Sequence, residues 1–233
     1  TQAWLAEAGY VGVQPNGQSL LARFEPRWSL GARDQSPATV APQRCTALGA
    51  GISGASVAYA LARRGWQVTV LDQHAAAAGG ASGLPAGLVV PHVSADDSPR
   101  SRMSRVGARL MLQHAAALLQ DGTDWHASGV QEHDLEENTT RWHPQGAWIR
   151  PARLVQAWLR HPGIHCRFAT RVTGLEHRDG VWRLRGPEGQ TWAESELLVL
   201  ANATGCVPLM LDPAHVDFLG EGLVERLGFL HAV

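Results

Sequence analysis

Apolar and polar positions recur with different periods along this chain, and the changes of period mark out its elements. Gln2 to Ala8 reads as the end of a helix, and alternation over Tyr10 to Val13 and Leu20 to Phe24 predicts two short strands about the turn formers Pro15, Asn16 and Gly17. This piece holds too little apolar surface for a core of its own, so it is expected to be the tail of a larger domain or an appendage packed on the domain after it. From Ser29 to Gln43 the residues are largely Gly, Pro, Ser, Asp and Gln without periodicity, which predicts a linker.

Beyond the linker, Cys45 to Leu48 is a short buried-strand pattern, Ile52 to Arg64 a helix rich in Ala, Ser, Leu and Val, and Gln67 to Leu71 a second strand parallel to the first, with Gly65 closing the helix. That order is one βαβ unit. Ala75 to Gly87 is nearly all small residues and predicts a loop that something approaches closely. Arg102 to Gln120 spaces Met103, Val106, Leu110, Met111, Leu118 and Leu119 as a helix does, and Pro151 to Arg160 is a helix opened by proline. From Ile164 onward, Ile164 to Phe168, Arg171 to His177, Val181 to Arg185, Thr191 to Ala193 and Leu197 to Ala201 read as strands of a small meander, with Asp179-Gly180 as one turn.

The 233 residues are long enough to bury a sizeable core, and 45% apolar with 18% charged residues is ordinary for a globular chain. A formal net charge of -1 and a pI near 6.8 give no global attraction to nucleic acid or anionic membrane. All 20 basic residues are arginine, which removes Schiff-base and phosphate-loop lysine chemistry. Cys45, Cys166 and Cys206 stand far apart without a CxxC spacing, arguing against a zinc site or a disulfide framework and for a reducing, cytoplasmic setting. No run is long enough to span a bilayer, and no leader-like start is read.

Chemistry concentrates in Gly49-Ala50-Gly51-Ile52-Ser53-Gly54, which has G-x-G-x-x-G spacing between strand and helix. The first glycine suits the tight turn, the second close approach of backbone to a pyrophosphate, and the third close packing of helix on strand; the helix N-terminus adds unpaired N–H groups and a positive dipole. Asp72 ends the second strand 18 residues after Gly54, where a carboxylate can accept from both adenosine ribose hydroxyls and disfavours a 2′-phosphate. The unit is therefore expected to hold the ADP part of a dinucleotide, FAD above all.

Around this motif, LGAGISGASVAYALARRGWQVTVLD, GGASGLPAGLVVPH, WHPQGAWIRPARLVQAWL and LLVLANATG follow in order. Together they resemble the D-amino-acid-oxidase-like FAD-dependent oxidoreductases. The segment Gly80 to His92 and Pro144-Gln145-Gly146-Ala147-Trp148 look most like the C-terminal flavin half of the bifunctional bacterial enzymes that modify the tRNA wobble uridine. Ala8-Gly9-Tyr10 with Ser19-Leu20-Leu21-Ala22-Arg23-Phe24 is similar to the closing hairpin of their methyltransferase half.

The resemblance implies an α/β Rossmann-like FAD-binding domain with a small β-meander, preceded by a methyltransferase-like tail. The implied division is residues 1–28 as that tail, 29–43 as linker, 44–206 as the N-terminal part of the flavin domain, and 207–233 as a divergent or truncated end. It implies FAD as cofactor and tRNA as substrate: oxidative removal of the carboxymethyl group from 5-carboxymethylaminomethyl-2-thiouridine, followed in the parent enzyme by S-adenosylmethionine-dependent methylation. Gly49, Gly51 and Gly54 would hold pyrophosphate, Asp72 the ribose, and Ala81, Ser82, Gly83 and Gly87 the ribityl and flavin side. Val172 would lie at the adenine, and Ala201 and Asn202 would pass the pyrophosphate a second time. Leu84 departs from the family, which often carries asparagine there. The family continues past a point equivalent to Val233, so a truncated chain is expected, which leaves open an inactive fragment.

Two alternatives stay open: a flavin-dependent oxidase of a free amine such as glycine or sarcosine, and a non-catalytic nucleotide-binding remnant. Other features have plainer readings. Arg100, Arg102, Arg105 and Arg109 suit a solvated helix face, His92 a structural role, and the tryptophans, among them Trp142, Trp148, Trp158 and Trp182, core or half-buried packing. Glu136-Glu137 reads as a polar loop. Catalytic residues are not identified.

Overall fold

The computed structural model describes residues 2–16, 19–25, 41–94, 96–134 and 138–210. The chain divides into two compact units, Thr1–Ala41 and Pro42–Val233. Residues 29–40 of the expected linker, residues 211–233 of the expected end and the Glu136-Glu137 pair lie outside the described residues.

In the first unit α1 (Gln2–Glu7) leads into an antiparallel ribbon of β1 (Tyr10–Asn16) and β2 (Ser19–Phe24), with the Tyr10 and Phe24 rings 5.2 Å apart across it. Pro15 and Asn16, expected in the turn, belong to β1. A ribbon of two strands consists only of edges, where a missing proline N–H is tolerated.

The second unit is built on β3 (Arg44–Leu48), α2 (Ile52–Ala62), β4 (Gln67–Leu71), β10 (Ile164–Arg167) and β14 (Leu197–Leu200). The four strands form one parallel sheet in the order β10-β4-β3-β14. β3 is buried on both faces apart from its first residue, as expected of a short apolar strand between two layers. On one face Cys45, Ala47, Val68 and Val70 pack with Ala50, Ala58 and Ala62 of the β3–α2 segment, small residues that let the helix lie close. On the other face Leu48 and Leu71 meet Leu175 and Leu184 from an antiparallel meander of β11 (Gly174–Arg178), β12 (Val181–Arg185) and β13 (Thr191–Ser195). Thr46, buried under this layer, is paired by the Ser195 hydroxyl at 2.8 Å.

The expected run of five meander strands is therefore shared between two sheets. Its first and last members, β10 and β14, join the parallel sheet; in β14 the continuous apolar run Leu197-Leu198-Val199-Leu200 needs cover on two faces, while β10 pairs with β4 at the sheet edge.

Between β4 and β10 lie β5 (Gly87–Val89), α3 (Pro99–Leu118), β6 (Trp125–His126), β7 (Val130–Asp134), β8 (Thr139–His143), β9 (Ala147–Ile149) and α4 (Pro151–Leu159). β6 to β9 have no counterpart among the elements expected from the apolar pattern. They form a β5-β9-β6 sheet and a β7-β8 hairpin. α4, α3, β9 and the outer side of α2 share a core of Ala55, Ala115, Ile149, Leu154, Val155 and Trp158. α3 starts at Pro99 rather than Arg102, since Ser98 Oγ accepts the Ser101 N–H as N-cap and Pro99 fills the first turn. Its inward side is made by Ser101, Ala108, Met111, Leu112 and Ala115, while Met103, Val106 and Leu110 are exposed. The short α5 (Val207–Met210) closes the described part, with Leu209 in the meander core.

Candidate functional site

The strand order sets where a ligand can lie. From β3 the chain moves outward through β4 to β10, then returns to place β14 on the other side of β3. The carboxyl ends of β3 and β14 thus flank a topological switch point, where open parallel sheets leave a crevice. A cleft of about 700 Å³ opens there, lined among others by Gly49, Gly51, Asp72, Ser82, Val172 and Asn202. That volume is in the ordinary range of small-molecule sites.

Each glycine of the turn is required for its own reason. Gly49 has φ 108°, and a Cβ on it would stand 2.5 Å from the Ala201 carbonyl oxygen. Gly54 lies outside the cleft wall; a Cβ there would come within 1.9 Å of the Gly49 carbonyl oxygen, so its bareness sets the approach of α2 to the strand. Gly51 has an ordinary φ of -81°, and a Cβ on it would enter the mouth of α2, 3.2 Å from Ser82 Oγ. No side chain of Gly51 caps α2, and the first N–H groups of a helix have no partner within it. Ser82 answers one of them, its Oγ accepting the Ile52 N–H at 2.9 Å.

Asp72 follows β4 and is buried. Its Oδ2 accepts the Ala50 N–H at 2.6 Å and its Oδ1 the His74 N–H at 2.8 Å, with His74 Nδ1 also 2.8 Å from Oδ1. The main chain around it is tied to the end of β10: Asp72 N donates to the Arg167 carbonyl, and the Asp72 and His74 carbonyls accept from Thr170 and Ala169.

Asn202, just past β14, carries a buried Oδ1 without a hydrogen-bond partner among the described residues, a polar atom suited to a ligand donor. Arg171 brings the only guanidinium among the described lining residues. Backbone donors at a helix mouth, one acid at the neighbouring strand end, one guanidinium and an open acceptor form a set that fits a diphosphate-linked nucleotide.

Of the residues singled out from sequence, Gly49, Gly51, Asp72, Ala81, Ser82, Val172, Ala201 and Asn202 line this cleft. Gly54, Gly83 and Gly87 do not: a Cβ on Gly83 would meet the Ala78 carbonyl at 2.5 Å, and one on Gly87 would meet Pro151 at 3.2 Å, so both serve the packing of the loop. Gln73, His74, Gly79, Arg171 and Thr173 are lining residues that sequence reasoning missed. The position of Gln73 and His74 directly after Asp72 was the available signal. Nothing local marked Arg171 and Thr173, which arrive through the pairing of β10 with β4.

Arg100, Arg102 and Arg109 are exposed, while Arg105 bonds Ser101 Oγ and the Asp97 carboxylate. His92 is exposed and does not line the cleft; its backbone N–H donates to Ser104 Oγ and its carbonyl accepts from Ser101 Oγ. Trp158 is buried with Nε1 donating to His114 Nδ1, whereas Trp142 departs from the core expectation at 57% exposure, its ring lying against Gly129. Burial raises the Cys45 thiol to about 11, which leaves it protonated and inert.

Comparison with known proteins agrees with this geometry. The family described as FAD dependent oxidoreductase matches residues 46–141. The tRNA 5-methylaminomethyl-2-thiouridine biosynthesis bifunctional protein MnmC of Albidiferax ferrireducens is 49% identical over 201 residues, 84% of this chain and 33% of that protein. The protein of the same name from Polaromonas naphthalenivorans is 40% identical over 244 residues, 86% of this chain and 38% of its own length. The chain thus spans between a third and two fifths of the curated relatives it matches. Among solved structures, glycine oxidase from Geobacillus kaustophilus superposes with a TM-score of 0.61 at 17% identity, covering 72% of this chain and 57% of that one, a likeness of fold. The chain is thus homologous to part of the MnmC proteins, and its residues 46–141 match the FAD dependent oxidoreductase family, in keeping with the sheet order and the glycine turn.

Proposed function

We propose that the cleft binds the ADP part of FAD and that the chain belongs to an oxidoreductase of tRNA wobble-uridine modification, which removes the carboxymethyl group of 5-carboxymethylaminomethyl-2-thiouridine. The observation that carries this reading is the convergence of the Gly49–Gly54 turn, Asp72 and the Ala201-Asn202 turn on one cleft at the switch point, in a homologue of MnmC.

In this reading the amides at the mouth of α2, with about half a positive charge from the helix dipole, receive the pyrophosphate. Gly49 and Gly51 keep side chains out of its way, and Gly54 keeps the helix close. The Asp72 carboxylate accepts from the ribose, Val172 lies at the adenine, and Ala201 with Asn202 passes the pyrophosphate from the β14 side. Ala81 and Ser82 shape the path towards the flavin, with Gly83 and Gly87 letting their loop pack closely behind; Ser82, already accepting from Ile52, has its own hydrogen free to donate to a phosphate oxygen. Bound there, FAD would take a hydride equivalent from the carbon beside the substrate's secondary amine, and water would hydrolyse the resulting imine to the aminomethyl uridine and a two-carbon oxo acid.

The same reading makes residues 1–28 the end of a methyltransferase-like domain, 29–43 a linker and 44–206 the first part of the flavin domain, with 207–233 its divergent end. The division between compact units, at Ala41 and Pro42, falls within that linker. A tRNA substrate places the work in the cytoplasm; among the described residues no helix is long and apolar enough to cross a membrane.

Titration of the purified chain with FAD, followed by flavin fluorescence, tests the cofactor, and saturable binding is expected. Nucleoside analysis of tRNA bearing the carboxymethylaminomethyl group, after incubation with the chain joined to the remainder of its parent enzyme, tests the reaction. Oxidation of free glycine or sarcosine with the tRNA untouched would replace the substrate, and a chain that takes up no FAD would overturn the reading.

A further inference from the structure

His74 is a cleft residue that a dinucleotide fold does not by itself explain, and its half-exposed ring is held on one side by Asp72. Its ring Nδ1 stands 2.8 Å from Asp72 Oδ1, and its own N–H donates to the same oxygen at 2.8 Å. A carboxylate only accepts, so the hydrogen between them sits on Nδ1. The ring has room there because Gly79 has no side chain: a Cβ on Gly79 would lie 2.5 Å from the ring's Cγ. His74 and Gly79 both line the cleft beside Asp72.

The carboxylate has about four lone-pair sites. Oδ1 uses its two on His74, and Oδ2 uses one on the Ala50 N–H at 2.6 Å, which leaves one open site, on Oδ2. Rotation of a carboxylate about its last torsion is broad and soft. Without the imidazole, Oδ1 keeps only the His74 amide, and the plane of the group is held less firmly.

We propose that His74 is a positioning residue for nucleotide binding: seated over Gly79, its Nδ1–H fixes the plane of the Asp72 carboxylate and turns the open lone pair of Oδ2 to a ribose hydroxyl of the adenine nucleotide. The inference rests on the FAD reading above and adds a residue to it that acts only through Asp72.

FAD affinity measured by fluorescence titration of the purified chain tests it with four variants. His74→Ala removes the donor and Gly79→Ala displaces the ring without removing it; each is expected to weaken FAD on the order of tenfold, the scale of one hydrogen bond to a charged group. His74→Asn places an amide donor near the position of Nδ1 and is expected to restore affinity to within about threefold of the wild type. In an Asp72→Asn background, His74→Ala should add no further loss, since the residue acts through that carboxylate. Wild-type affinity in His74→Ala would overturn the proposal, as would an undiminished His74→Ala loss in the Asp72→Asn background, or a His74→Asn variant as weak as His74→Ala. Those results would leave FAD binding itself intact. A wild-type chain that takes up no FAD would overturn both readings together.

Discussion

Replacing Gly54 by alanine separates the architecture of the site from its chemistry. The added Cβ would stand 1.9 Å from the Gly49 carbonyl oxygen, 3.0 Å from the Gly49 carbonyl carbon and 3.4 Å from Ala201 Cβ. Those neighbours are backbone and a short side chain, so relief requires α2 to move away from the strand end by roughly 1 Å or more, opening the packing of Ala55 and Ala58. Overpacking of this kind costs about 1–3 kcal/mol, against which the better helix propensity of alanine returns up to about 1 kcal/mol. The expected net loss is about 1–2 kcal/mol, read as a midpoint about 2–8 °C lower in thermal unfolding of a domain of this size. Gly51→Ala is the contrast, because its φ of -81° suits alanine and its one close neighbour is the Ser82 hydroxyl at 3.2 Å. Its stability should stay within about 0.5 kcal/mol of the wild type, while FAD affinity falls, because the methyl group occupies the helix mouth. Equal stability of Gly54→Ala and wild type, or equal loss in the two variants, would refute the assignment of separate tasks to the two glycines.

Asp72→Asn keeps an oxygen for the Ala50 N–H but loses the charge, and fluorescence titration should show FAD weakened by about 10–100-fold, the range for a hydrogen bond to a charged group; unchanged affinity would place the ribose elsewhere. Ser195→Ala strands the Thr46 hydroxyl and one lone pair of the Leu197 carbonyl in a buried spot, and should cost about 1–2 kcal/mol in urea unfolding, with added Thr46→Val recovering part of it. His114 is held below the usual histidine value by burial and then by Arg63, and its Nδ1 accepts from Trp158. The folded state therefore favours neutral imidazole, the unfolded chain binds more protons, and stability should fall as pH drops from about 6.5 towards the lowered value. His114→Gln should flatten that part of the stability profile, and a profile as steep as the wild type would assign the dependence to another group.

The βαβ unit is legible in the sequence because its demands are local. A parallel strand buried on two faces needs an apolar run, and a turn with φ 108° followed by a helix that nearly touches the strand needs glycine at Gly49 and Gly54. The start of α3 is legible in Ser98-Pro99, but the apolar spacing begins only at Met103 and so draws the expected helix start too late. That spacing also misjudges the inward face: alanines and Ser101 pack inside while Met103, Val106 and Leu110 do not. Strands β6 to β9 are two to five residues long, and β6 to β8 carry histidines or charges, so no apolar period of useful length marks them. Ala147-Trp148-Ile149 alone alternates buried and half-buried positions, too briefly to stand out.

The cleft shows the same division between what a residue demands of its own backbone and what topology brings to it. One wall, from Gly49 to Asp72, is a continuous stretch whose glycines and acid have fixed spacing, so it can be read from the letters. The opposite wall comes from Arg171 to Thr173 and from Ala201 to Gly205, more than 90 residues further along, and reaches the site only because β10 pairs with β4 and β14 with β3. Reading five β segments as one meander hides that placement, since a meander would keep β14 beside β13 and leave the turn after it far from Gly49. What assigns β14 to the parallel sheet is Leu197-Leu198-Val199-Leu200, four apolar residues without alternation, whereas β11 to β13 interleave Glu, Arg and Thr with apolar positions as one-sided antiparallel strands do. Continuity thus assigns β14, though not the alternating Ile164-His165-Cys166-Arg167 of β10, and the sheet order then dictates which distant turn must face the glycines.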